Sequence, residues 1–177
     1  NKVCCIEDSQ HPSKMTVNQS DEKIEIFTLI RNKSWTEGIP SDIVTIYKTQ
    51  IIKIADLIIA DEPINIIDSL IYDANDIHYA NNRLFVSHTN YKTPEFRVYI
   101  RDGSDGIISL DTVITTPAIP NALYSTGDTL FVGMEDHGGV MIYNFVNTEV
   151  ISEFSWIASG FSVKEIYWDP LYHWLLL

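Results

Sequence analysis

The residues best placed by type to do chemistry are Glu135-Asp136-His137. A carboxylate beside a histidine can orient the imidazole as a base or help hold a metal. The cluster runs straight into Gly138-Gly139, however, and an Asp/Gly-rich stretch reads first as a turn. Four other histidines, His11, His78, His88 and His173, lie at spacings unlike a metal-binding pair. The expectation is therefore no metal and no cofactor. No G-x-S-x-G nucleophile elbow and no G-x-x-x-x-G-K phosphate loop is present. The cysteines, Cys4 and Cys5, are adjacent, so they are poorly placed to pair with each other.

Charge narrows the partners. The 177 residues carry 12 basic and 24 acidic side chains, a net charge of −12. Residues 102–177 hold ten acids and one base, Lys164. Phosphate neutralisation needs clustered Lys and Arg, so nucleic acid and anionic lipid are not expected. A basic or polar protein or peptide is the partner that such a surface attracts. No apolar run approaches the roughly 18 residues of a membrane helix, and membrane insertion is not expected. The lone cysteine pair favours a cytoplasmic setting. Two glycosylation-type triplets, at Asn18 and Asn32, leave a secreted or cell-surface one as the alternative.

The elements that must position such residues are strands. Short β-branched and aromatic runs alternate with turn residues, and sustained 3.6-residue periodicity is missing. Leu84-Phe85-Val86 recurs as Leu130-Phe131-Val132, 46 residues on, and as Leu175-Leu176-Leu177, 45 residues further. Each copy follows a polar turn, and each turn follows a strand bearing an aromatic: Ile77-His78-Tyr79, Leu123-Tyr124 and Ile166-Tyr167-Trp168. Four strands per 40–50 residues is the signature of a propeller blade. The fold class expected is all-β: four-stranded antiparallel blades in an incomplete ring. One partial propeller domain spans 1–177, with repeats near 3–48, 50–80, 83–125 and 129–168 and a further start at 172–177. The polar segment 8–23 reads as a flexible loop insertion. Ile51–Asp61, the one helix-like stretch, reads as a tight hairpin because of its β-branched residues. The remaining blades would come from the rest of a longer chain or from another copy.

The stretch Tyr124-Ser125-Thr126-Gly127-Asp128-Thr129-Leu130-Phe131-Val132-Gly133, followed by Asp136–Asn144, resembles a divergent WD-repeat. It has strand, polar turn, strand, acidic-glycine turn, and a third strand ending aromatic-polar. The Trp-Asp pair of that family is replaced by Ala60-Asp61, Arg101-Asp102 and Tyr143-Asn144, and its Gly-His pair is absent. No two arginines are adjacent, unlike in phosphoinositide-binding propellers. The resemblance implies loops sharing one rim at His88–Glu95, Met134–Gly138 and Trp156–Ser162. It implies a non-enzymatic interaction scaffold, with Tyr91, Glu135, Asp136, His137 and Trp156 as partner-binding residues. The alternative is a propeller enzyme or ligand binder, of hydrolase or lyase type, with carboxylates and histidines lining the central channel. Tyr79, Phe85, Tyr124, Phe131, Tyr143 and Tyr167 are expected to fill the core between blades.

Overall fold

The computed structural model describes residues 11–19, 23–36, 39–54, 57–71, 74–90, 93–101, 108–136, 139–146, 149–158, 162–169, 171–172 and 174–177. Every regular element among them is a strand, and every strand pairing is antiparallel. Among the described residues no sheet closes on itself. The chain divides into two compact units, Asn1–Asp73 and Ala74–Leu177.

The first unit is one meander of β1 (His11–Gln19), β2 (Lys23–Thr36), β3 (Ile39–Ile54) and β4 (Leu57–Ile71). The expected loop 8–23 is corrected here, since residues 11–19 pair with β2 from His11↔Arg31 to Gln19↔Ile24. An edge strand needs a partner for its backbone on one side only. It can therefore be polar and still form, with Met15 and Val17 left exposed. Along β2, Glu25, Phe27 and Leu29 are buried at alternate positions, and the Glu25 carboxylate accepts from Asn18 Nδ2 at 2.8 Å. β3 and β4 form the expected hairpin, closing at Ile54↔Leu57. The runs at 57–60 and 64–70 are a single strand, because a bulge absorbs the polar break between them. Lys48 pairs with Asn65 and Gln50 with Asp61, so Glu62-Pro63-Ile64 oppose Thr49 alone. Pro63 lacks a donor and is tolerated because β4 is the sheet's outer strand.

The second unit contains two more four-stranded meanders. One is β5 (Ala74–Ala80), β6 (Arg83–Asn90), β7 (Thr93–Arg101) and β8 (Ile108–Thr115). The other is β9 (Pro120–Thr126), β10 (Thr129–Met134), β11 (Gly139–Val146) and β12 (Glu149–Ala158). A two-stranded sheet, β13 (Tyr167–Asp169) and β14 (Trp174–Leu176), follows. The sheets break at other points than the expected repeats. The Leu-Phe-Val anchor marks the second strand of each sheet, so each sheet opens one strand earlier. Asn81 and Asn82, at φ 49° and 61°, make the two-residue turn from β5 to β6, and Gly127 at φ 56° serves the turn from β9 to β10. These residue types tolerate the left-handed region, and such turns match strand twist.

Period-two alternation divides each strand between two cores. Leu123, Leu130, Val132, Met134, Met141, Tyr143 and Phe145 face the β5–β8 sheet, where they meet Phe85, Phe96 and Val98. The intervening Ala122, Phe131 and Val140 face the other way, toward Val163 and Ile166. Phe85 packs on Phe145 at a ring separation of 5.1 Å, and its repeat equivalent Phe131 stacks on Trp168 at 6.0 Å. Burying each such side chain contributes roughly 1.5–3 kcal/mol. Among the aromatics expected in the core, Tyr79, Phe85, Phe131 and Tyr143 are buried. Tyr124 is half-buried, and Tyr167 is 54% exposed, so neither is an enclosed core residue.

Candidate functional site

Sheet-to-sheet links in the second unit run through the opening strands. Asn75 Nδ2 on β5 donates to the Pro120 carbonyl at 3.2 Å. One repeat later, Asn121 Nδ2 on β9 donates to the Val163 carbonyl at 3.0 Å. Asp76 adds a second tie, its Oδ2 accepting from the Leu123 N–H at 2.8 Å and its Oδ1 from the Ile77 N–H at 2.9 Å. These bonds hold β5 beside β9 and β9 beside the segment before β13.

That placement builds a row of rings. His78 lies 5.2 Å from Tyr124, and Tyr124 lies 6.0 Å from Tyr167, centroid to centroid. The three occupy the same position in successive opening strands. His78 and Asp76 share one face of β5, so a carboxylate and an imidazole stand two residues apart on it. Burial pushes the His78 pKa below its ordinary value, against a smaller opposing effect from a hydrogen bond to the Ser125 backbone. Burial also raises the Tyr124 phenol, with Tyr167 adding to the effect. At neutral pH His78 is therefore an uncharged imidazole beside the Tyr124 phenol.

A second polar cluster lies at the far end of the β6–β7 hairpin. His88 and Glu95 are register partners, with His88 Nδ1 2.8 Å from Glu95 Oε1. Arg97 Nε donates to the same oxygen at 3.1 Å. His88 is 2% and Glu95 7% exposed. Burial works against the Arg97 charge, but the Tyr99 and Glu95 side chains outweigh it and hold its pKa above the usual arginine value. A carboxylate shared between an imidazole and a guanidinium fixes the orientation of both.

The residues singled out by sequence are not gathered at one place. Tyr91 and His137 lie outside the described residues. Trp156 is on β12, paired with Met141, and its side chain is likewise outside them. Glu135 acts as a brace. Its N–H donates to the Ile119 carbonyl at 2.8 Å, its carbonyl accepts from the Ser162 hydroxyl, and its carboxylate lies 3.2 Å from Lys164 Nζ. Asp136 is exposed. Among the described residues no group of three His, Cys, Asp or Glu side chains could hold a metal ion, and no helix is long and apolar enough to cross a membrane. His78, Asp76 and the Glu95 pairing escaped the sequence reading, although the 46-residue repeat already aligned His78 with Tyr124.

No protein-family model and no curated protein matches the chain. The WD-repeat resemblance rests on the sequence motifs alone. Among solved structures the chain is similar to a "putative 6-phosphogluconolactonase" from Bacteroides uniformis ATCC 8492, at 12% identity and a TM-score of 0.49. The match covers 85% of this chain and 56% of that one, so the chain spans a little over half the length of that structure. The expected non-enzymatic interaction scaffold finds no support in these comparisons.

Proposed function

We propose that this chain is part of a β-propeller that binds a small polar ligand along the inner edges of its sheets, as a ligand-binding or hydrolase-type catalytic domain. The observation that carries the reading is the row His78–Tyr124–Tyr167 on three successive opening strands. Opening strands tied to one another form an inner edge, and the outward β8, with Leu110 and Val113 exposed, forms the outer one. Such a layout supports a radial arrangement of blades. In it the row faces the axis. His78, neutral and tied to Ser125 through one nitrogen, offers the other nitrogen to a ligand proton. The phenols supply further hydrogen bonds and an apolar face.

The test is thermal unfolding of the protein against a panel of sugars, hydroxy acids and lactones, followed by calorimetric titration of each stabilising compound. Wild type should bind at least one of them. His78→Asn and Tyr124→Leu should each weaken that binding about tenfold, the effect of one lost hydrogen bond in a site. A panel without a stabilising compound, or equal binding by the variants, would overturn the reading.

A further inference from the structure

The layer between the β5–β8 and β9–β12 sheets contains a polar feature that the ring row does not use. Arg83, at the start of β6, is 6% exposed, and its Nε has no hydrogen-bond partner. Ser125, near the end of β9, is 9% exposed, and its Oγ has none either. Both point into the same layer. Arg83 stands two residues before Phe85 and places its Cζ 5.5 Å over the Phe145 ring. Ser125 stands two residues after Leu123 and is the register partner of Leu130. Phe85, Leu123, Leu130 and Phe145 all belong to the core cluster of that layer.

We propose that Arg83 and Ser125 form a binding site for a small oxyanion such as inorganic phosphate. Unpartnered buried polar atoms are uncommon, and one on a charged group such as the Arg83 Nε more so, because each has given up water for nothing. The Phe145 ring offsets part of that cost, but it covers only the face of the guanidinium. The N–H donors lie in the guanidinium plane, where they match the spacing of phosphate oxygens. A serine hydroxyl adds a rotatable donor. The end of the layer is braced by two turns. Asn81 Nδ2 donates to the Gly127 carbonyl, and the Phe145 N–H donates to the Asp128 carbonyl at 2.7 Å. The depth of both groups suits a free ion better than the phosphoryl end of a larger molecule. The setting favours it too. Four of the five basic residues after Asp73 (Arg83, Lys92, Arg97 and Arg101) fall in the β5–β8 segment of an otherwise acidic unit.

Phosphate titration of the protein at constant ionic strength tests this, with chloride as the balancing ion. The midpoint of thermal unfolding should rise with phosphate and saturate, and sulfate, of the same shape and charge class, should compete. Arg83→Met keeps an unbranched apolar stem without the donors and should abolish the response. Ser125→Ala should weaken it about tenfold. The proposal fails if phosphate stabilises wild type no more than chloride, or if Arg83→Met responds as wild type does. Should Arg83→Met not fold, line broadening of the phosphorus signal by wild type, set against Ser125→Ala, decides the matter. Equal broadening by both proteins would overturn the site.

Discussion

His88 Nδ1 lies 2.8 Å from Glu95 Oε1, and the two residues are register partners across the β6–β7 hairpin. The same oxygen takes the Arg97 Nε at 3.1 Å. Removing the shared carboxylate leaves a guanidinium without its counter-charge and an imidazole without its anchor. Breaking a buried pair by removing one partner costs about 3–5 kcal/mol, though Arg97 is 22% exposed and water will offset part of it. Glu95→Ala should therefore destabilise the protein by about 2–3 kcal/mol. Glu95→Gln, which keeps an acceptor, should cost less. Urea unfolding of the two variants measures the difference, and equal costs would mean that the retained acceptor contributes nothing and the charge carries the whole effect.

Gly133 on β10 fits where no side chain could. A Cβ there would stand 2.5 Å from Val163 Cγ1 and 2.9 Å from Val163 Cβ. Overpacking of that kind costs roughly 1–3 kcal/mol. Gly133→Ala should lower stability by that amount. The double variant Gly133→Ala/Val163→Ala should recover part of it, because it removes the nearest atom, Val163 Cγ1. A double-mutant cycle without coupling would show that Val163 is not held against β10.

The equivalent clamps Asn75 to Pro120 and Asn121 to Val163 predict matched effects. Each is one side chain-to-backbone bond at a partly buried site, worth about 1 kcal/mol. Asn75→Ala and Asn121→Ala should each cost about that, and the double variant should cost the sum, because the two bonds share no residue. Amide exchange should accelerate locally, at β9 for the first and at residues 162–166 for the second.

What was legible in the sequence follows from what repeats. The recurrence of Leu84-Phe85-Val86 as Leu130-Phe131-Val132 placed β6 and β10, because alternating apolar residues after a turn signal have few other solutions. Leu175 likewise falls on β14. β1 was not legible, since Met15 and Val17 are the only large apolar residues of its paired length and both are exposed. Nor was β4 legible as a single strand, because Asp61-Glu62-Pro63 reads as a turn but is absorbed by a bulge. The polar clusters were hidden for a different reason. His88 and Glu95 become neighbours only once the hairpin register is known, and the ring row only once 78, 124 and 167 are superposed as one position. Glu135, in the dense run Glu135-Asp136-His137, is bonded to segments near 119 and 162–164 that its sequence neighbourhood does not reveal.

The ring row predicts a pH dependence. Burial lowers the His78 pKa from its ordinary 6.5, so the folded protein binds that proton less readily than the unfolded chain does. The stability tied to neutral His78 is complete above the unfolded value of 6.5. It declines as pH falls through that value toward the lowered folded one, where the native imidazole must also charge. Unfolding free energy should therefore drop on acidification across this window. His78→Phe keeps a ring against Tyr124 and cannot take the proton, so its profile should be flatter there. The difference between the two profiles isolates His78 from the carboxylates, which titrate lower and are common to both proteins. Parallel profiles for wild type and His78→Phe would place the imidazole in water rather than against Tyr124.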